Sequence, residues 1–128
     1  MSLSIEIAPL ANGNQRLSLA GRLDTHTYSE LDTQLVPILA SGIQSLVLDL
    51  AGLEYISSAG VRSIFKARKA LAAHGGKVVV VNPQPQIQKV FDVVKAVPLE
   101  EIFPTIEEAD AYLDAMQRKV LNTDPDDD

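Results

Sequence analysis

Cysteine is absent from all 128 residues, which removes disulfide staples, thiolate metal sites and a cysteine nucleophile from consideration. No stretch approaches the roughly 20 apolar residues that span a bilayer. The start, MSLSIEIAPL, has neither the basic segment nor the long apolar run of a secretory leader. Histidine occurs only as His26 and His74, with no His-x-x-x-His spacing or carboxylate pairing to suggest a metal site. Positive charge is the minority sign. The formal charge of −6 argues against nucleic acid or an anionic membrane as the main partner, because both select a basic surface, and with no spanning segment no direct membrane insertion is expected. The phosphate loop Gly-x-x-x-x-Gly-Lys-Ser/Thr and the hydrolase elbow Gly-x-Ser-x-Gly are both missing. The expectation is a soluble, cytoplasmic protein that is no enzyme and carries no cofactor or metal.

What is present reads as one globular domain, with 46% hydrophobic and 22% charged residues in a chain long enough to bury a core. Residues 1–118 form that domain in this reading. Residues 119–128, where Asp124, Asp126, Asp127 and Asp128 surround Pro125, have the composition of a disordered acidic tail. Leu3 to Ala8 and Arg16 to Ala20 alternate as strands about Asn12-Gly13-Asn14, which predicts a hairpin. Gly21 is expected to turn the chain toward a helix. Thr27 and Glu30 have capping-box spacing, and Tyr28, Leu31, Leu35 and Ile38 form an apolar stripe. Pro37 should kink this helix or tighten its last turn, and Gly42 should end it.

Leu46 to Leu50 reads as a strand covered on both faces, followed by a helix from Ala59 to about His74 that Gly75-Gly76 breaks. Val78 to Val81 is a second apolar strand, so strand, helix and strand make a βαβ unit. A third helix carries Ile87, Val90, Phe91 and Val94 between Pro85 and Pro98. An extended piece at Ile102 and Phe103 precedes a fourth, where Thr105 and Glu108 repeat the capping box and Ile106, Ala109, Tyr112, Leu113 and Met116 face inward. The sum is α/β: four or five strands in a mixed sheet, the central pair parallel, with about four helices packed against it.

Sites in such sheets lie at the carboxyl ends of strands, which directs attention to residues 50–58. Ser57 and Ser58 stand between the strand and the second helix. Each is either a helix cap or a switch, since a helix N-terminus offers unpaired N–H groups and a positive dipole to an anion.

The run Asp49-Leu50-Ala51-Gly52-Leu53-Glu54-Tyr55-Ile56-Ser57-Ser58-Ala59-Gly60-Val61 resembles the signature of the STAS domain, the fold of bacterial anti-sigma factor antagonists. Gly21-Arg22-Leu23-Asp24 resembles the second marker of that family, and the element order agrees from about Leu3 to Met116. The resemblance implies partner switching. Unphosphorylated, such a protein binds an anti-sigma factor that is also an ATP-using serine kinase; phosphorylation of the motif serine ends the binding, and a serine phosphatase restores it. Aligned on Gly60, the acceptor is Ser58. The usual motif is Asp-Ser-Ser/Thr-Gly, so Ser57 replaces an aspartate and Ala59 a hydroxyl residue.

On this reading Asp24, Asp49, Ser57 and Gly60 shape the switch, with the N–H groups of Gly60 and Val61 open to a phosphate. Tyr55, Ile56 and Ala59, together with the basic stripe Arg62, Lys66 and Lys69, form the partner face. The stripe is equally readable as a solvated helix surface. The alternative function is a constitutive STAS subunit of a transporter ATPase or a stress-sensing assembly, using the same surface without phosphate. Weak or atypical guanine-nucleotide binding, known among STAS domains, is a further possibility that the missing phosphate loop disfavours.

Overall fold

The computed structural model describes residues 2–96 and 103–122. Strand β1 (Leu3–Pro9) pairs antiparallel with β2 (Gln15–Leu23), and Asn12 and Gly13 reverse the chain at φ 63° and 78°. Helix α1 (Tyr28–Ala40) leads to β3 (Ser45–Ile56), which lies parallel to β2. Helix α2 (Ser58–Ala72) then crosses to β4 (Lys77–Val81), parallel to β3. Helices α3 (Pro85–Ala96) and α4 (Ile106–Leu121) complete the described chain. Among the described residues the sheet has four strands in the order β1-β2-β3-β4, and Phe103, expected in an extended piece, joins none of them. Pro98 and Ile102 lie outside the described residues, as does the chain beyond Asn122.

Cross-strand partners show that the sheet buries one face. Leu17, Leu46 and Leu48 are enclosed beneath the helices, with Val78 and Val80 partly buried beside them, each such leucine contributing about 1.5–3 kcal/mol relative to exposure. The opposite face carries Glu6, Arg16, Ser18 and Asp49, with Val47 only half-buried. The expectation that β3 is covered on both faces is therefore corrected: its apolar run conceals an alternation of core leucines with Val47 and Asp49.

Gly21 does not turn the chain. It stays within β2 opposite Leu3 and Leu53 at φ 99°, where a Cβ would lie 2.4 Å from the Ser2 carbonyl oxygen, so only glycine fits. Thr27 makes no side-chain cap on α1, because its hydroxyl accepts from the Asp24 N–H (2.9 Å) and donates to the Arg22 carbonyl (2.8 Å). By contrast, Thr105 caps α4 as expected, accepting from Glu108 N–H at 3.1 Å. Helix α1 runs through Pro37, and its end tightens where Ser41 N–H donates to the Ile38 carbonyl. Tyr28, Ile106 and Tyr112, assigned to inward stripes, are instead substantially exposed, at the rims of α1 and α4.

The largest departure is the length of β3. Its pairing with β4 stops at Asp49, yet the strand continues beside β2 to Ile56. Residues expected in a loop thus have a rigid partner on one edge and none on the other. Glutamines from the following segments satisfy the free edge: Gln84 donates to the Ala51 carbonyl (2.8 Å), Gln86 to the Glu54 carbonyl (2.9 Å), and Gln117 bonds both backbone groups of Ile56. Buried backbone polar groups need such partners.

Candidate functional site

Because β3 runs to Ile56 and α2 begins at Ser58, Ser57 alone forms the junction. Its N–H donates to the Leu23 carbonyl at 2.9 Å, which ties the ends of β2 and β3 together. Its Oγ accepts from Gly60 N–H at 3.5 Å, and its carbonyl accepts from Val61 N–H at 2.9 Å. Ser57 is the helix cap. The N–H groups of Gly60 and Val61, expected to be open to a phosphate, are therefore engaged within the cap.

Ser58 differs. Its residue is 6% exposed, its Oγ has no hydrogen-bond partner, and its N–H donates to Asp110 Oδ1 at 2.8 Å. Asp110 reaches the junction from the first turns of α4, bringing a carboxylate to the serine pair although the sequence position before Ser58 has none. Nothing local in the sequence marks Asp110, which reads as a solvated helix residue.

Gly60 is required by contact: an added Cβ would stand 2.7 Å from Leu23 Cγ and 2.9 Å from both Ile56 Cγ1 and the Leu23 carbonyl oxygen. Its absence lets the first turn of α2 rest on the ends of β2 and β3, which positions Ser58.

The other expected residues divide between this junction and neighbouring ground. Asp24 builds its own turn, accepting from His26 N–H at 2.9 Å and pairing with Arg22 Nε at 3.4 Å. Burial raises its pKa, but His26, Thr27 and Arg22 outweigh that and leave it below the ordinary value. Tyr55 lies under the Arg22 guanidinium, 4.0 Å from the ring centroid, and its phenol is pushed upward by burial and by the negative charges of Asp114 and Asp110. Ile56 is fully enclosed, so it supports the junction from beneath and presents no surface. Ala59 is half-buried and Arg62 and Lys69 are exposed, whereas Lys66 pairs with Asp32 of α1 at 3.5 Å.

Asp49 is farther along β3, on the polar face. It binds the Arg16 guanidinium and accepts from Ala51 N–H at 3.1 Å, interactions that hold its carboxyl below the usual range. His26 and His74 are exposed, and neither is hydrogen-bonded to Ser57 or Ser58. Among the described residues no acidic or imidazole cluster is arranged to hold a metal, and no helix is long and apolar enough to cross a membrane.

This arrangement of a parallel strand, a serine pair and a glycine-anchored helix coincides with a family model for the STAS domain, which matches residues 9–109. The chain belongs to the STAS domain family. BtrV of Bordetella bronchiseptica, a proposed anti-sigma factor antagonist, is 32% identical over 75 residues, covering 59% of this chain and 65% of BtrV. The anti-sigma F factor antagonist of Lysinibacillus sphaericus is 28% identical over 76 residues, covering 59% and 65%. Both matches span slightly less than two thirds of the relative's length.

Solved STAS structures agree in fold. The anti-sigma factor antagonist SpoIIAA in its unphosphorylated form superposes with a TM-score of 0.61 at 21% identity, covering 70% of this chain and 82% of that one. An anti-sigma factor antagonist from Mycobacterium paratuberculosis gives 0.62 at 20% identity over 88% and 95%. Within this STAS domain the serine pair, Gly60 and the end of β2 form one packed unit, joined by Asp110 from α4.

Proposed function

We propose that this STAS domain is an anti-sigma factor antagonist of a partner-switching pathway, acting in the cytoplasm without catalysis of its own. In its unmodified form it binds an anti-sigma factor that is also a serine kinase. The kinase transfers the γ-phosphoryl of its ATP to Ser58 Oγ, with release of ADP and the hydroxyl proton, and the modified protein dissociates. A serine phosphatase hydrolyses the ester and resets the switch.

The observation that carries this reading is the division of labour between the serines. The Ser57 hydroxyl caps α2, whereas the Ser58 hydroxyl makes no hydrogen bond and can be modified without removing a structural contact. Relatives described as anti-sigma factor antagonists support the assignment of the pathway. So does the fold neighbour SpoIIAA, whose structure is known in both unphosphorylated and phosphorylated forms.

Phosphorylation would add about −1.5 to −2 charges beside the Asp110 carboxylate, which already holds the Ser58 N–H. Like-charge repulsion would then act on the start of α4 as well as on the partner. Ser58 is buried, so transfer requires local opening around Pro104, Thr105 and Ala109, which line the same space. The partner face in this proposal is Tyr55, Ala59, Arg62 and Lys69, with Lys66 braced against α1.

The burial of Ser58 also favours a second reading, a constitutive STAS subunit of a transporter ATPase or stress-sensing assembly. Capture from native extracts by wild type, Ser58→Ala and Ser58→Glu separates the two, with circular dichroism confirming that each variant is folded. Recovery of an ATP-binding kinase by wild type and Ser58→Ala but not Ser58→Glu supports the switch. Equal recovery of an assembly component by all three overturns it.

A further inference from the structure

Beside the serine junction lies a cavity of about 310 Å3, at the small end of the range of ligand sites. Val61 and Phe65 of α2, Val94 of α3, Phe103, and Ile106 and Ala109 of α4 provide an apolar lining. Ile106 is 52% exposed, a large apolar side chain left at the rim.

Ser58, Arg62 and Thr105 interrupt this lining; the Thr105 oxygen is engaged by the Glu108 N–H, whereas the other two have unused capacity. One is the Ser58 hydroxyl, on a residue that is more than nine-tenths buried, with an Oγ that has no partner. The other is Arg62, the only charged side chain among the described lining residues and one with no ion-pair partner among them. The nearby Asp110 carboxylate accepts from the Ser58 backbone N–H and is not part of the lining.

We infer that this cavity binds a small amphipathic anion, of the class of a medium-chain monocarboxylate. The chain would fill the space between α2, α3 and α4. The carboxylate would pair with the Arg62 guanidinium and, with the same local opening around Pro104, Thr105 and Ala109 that bares the enclosed Ser58 Oγ, accept its O–H. A neutral apolar ligand would leave both groups unanswered, and a large polar one such as a nucleotide would leave the aromatic and aliphatic walls unmatched. An occupied cavity would also cover the hydroxyl that a kinase must reach. That consequence rests on the phosphoswitch reading, whereas the binding does not.

The test is titration of the full chain with decanoate and with decanol, followed by methyl NMR and calorimetry. The expected result is saturable one-to-one binding of decanoate, with shifts confined to Val61, Val94, Ile106 and Ala109. Arg62→Gln and the change to decanol should each weaken binding about tenfold, the loss of one charge-assisted hydrogen bond. Ala109→Leu, which fills the space, should abolish it; Arg62→Gln keeps the test decisive if that variant fails to fold. Absence of saturable shifts below the micelle threshold overturns the inference. So does equal binding of decanol, or of decanoate by Arg62→Gln. Either failure leaves the capture experiment unaffected.

Discussion

Asp110 of α4 holds the backbone N–H of Ser58 at the first residue of α2, 2.8 Å away and 52 positions earlier in the chain. The bond stabilises the N-terminal turn of α2 and directs a carboxylate toward the proposed acceptor. Asp110→Ala should lower stability by about 1 kcal/mol, because the carboxylate is partly exposed and water replaces part of what is lost. Phosphorylation of Ser58 should lower the urea midpoint of the wild type and lower it less in Asp110→Asn, where the like-charge repulsion is gone. Equal decreases in the two proteins would separate Asp110 from the switch.

The two serines should respond oppositely to alanine. Ser57→Ala removes the cap on α2, whose 3.5 Å length places the cost at the lower end of cap losses, about 0.5–1 kcal/mol. Ser58→Ala removes a buried hydroxyl with no partner, so stability should stay the same or rise by up to about 1 kcal/mol. Chemical denaturation of both variants checks this ordering. A large destabilisation by Ser58→Ala would reveal a structural task for that hydroxyl.

Gln117 occupies both backbone groups of Ile56, accepting from its N–H at 3.0 Å and donating to its carbonyl at 2.7 Å. Gln117→Leu preserves most of the volume but orphans two groups, each at about 1–3 kcal/mol. Gln84 bonds the Ala51 carbonyl in a solvent-exposed position. Water can replace it, while Gln86 Nε2 loses the Gln84 Oε1 acceptor at 2.9 Å but keeps the Glu54 carbonyl, so Gln84→Ala should cost about 1 kcal/mol or less. Urea midpoints should separate the two variants clearly; similar values would mean that water reaches Ile56 as well.

Asp49 introduces a pH dependence. The Arg16 guanidinium and the Ala51 N–H hold its folded-state pKa below the ordinary 3.8. The folded chain therefore binds this proton less readily than the unfolded chain. Its stabilisation is complete above 3.8 and is withdrawn as the pH falls through the lower folded value. Asp49→Asn should lower the urea midpoint at neutral pH and flatten its decline in acid, so that the two proteins converge. A difference as large in strong acid as at neutral pH would contradict the assignment.

Local pattern was enough for the hairpin about Asn12 and Gly13, the βαβ unit and the Thr105 cap on α4, because turn residues, periodicity and capping spacing act over a few positions. The order of residues from Asp49 to Gly60 was likewise enough to suggest the STAS family. Tertiary structure decided how that order is used. Whether Ser57 or Ser58 has a free hydroxyl depends on where β3 ends and α2 begins. The long β3 persists because β2 pairs one edge while glutamines close the other, and Gln117 acts across 61 positions. A glutamine or aspartate on a helix carries the same sequence signal whether it faces water or a strand edge. Only the packing of α3 and α4 against the end of β3 distinguishes those cases, and that packing also creates the cavity beside Ser58.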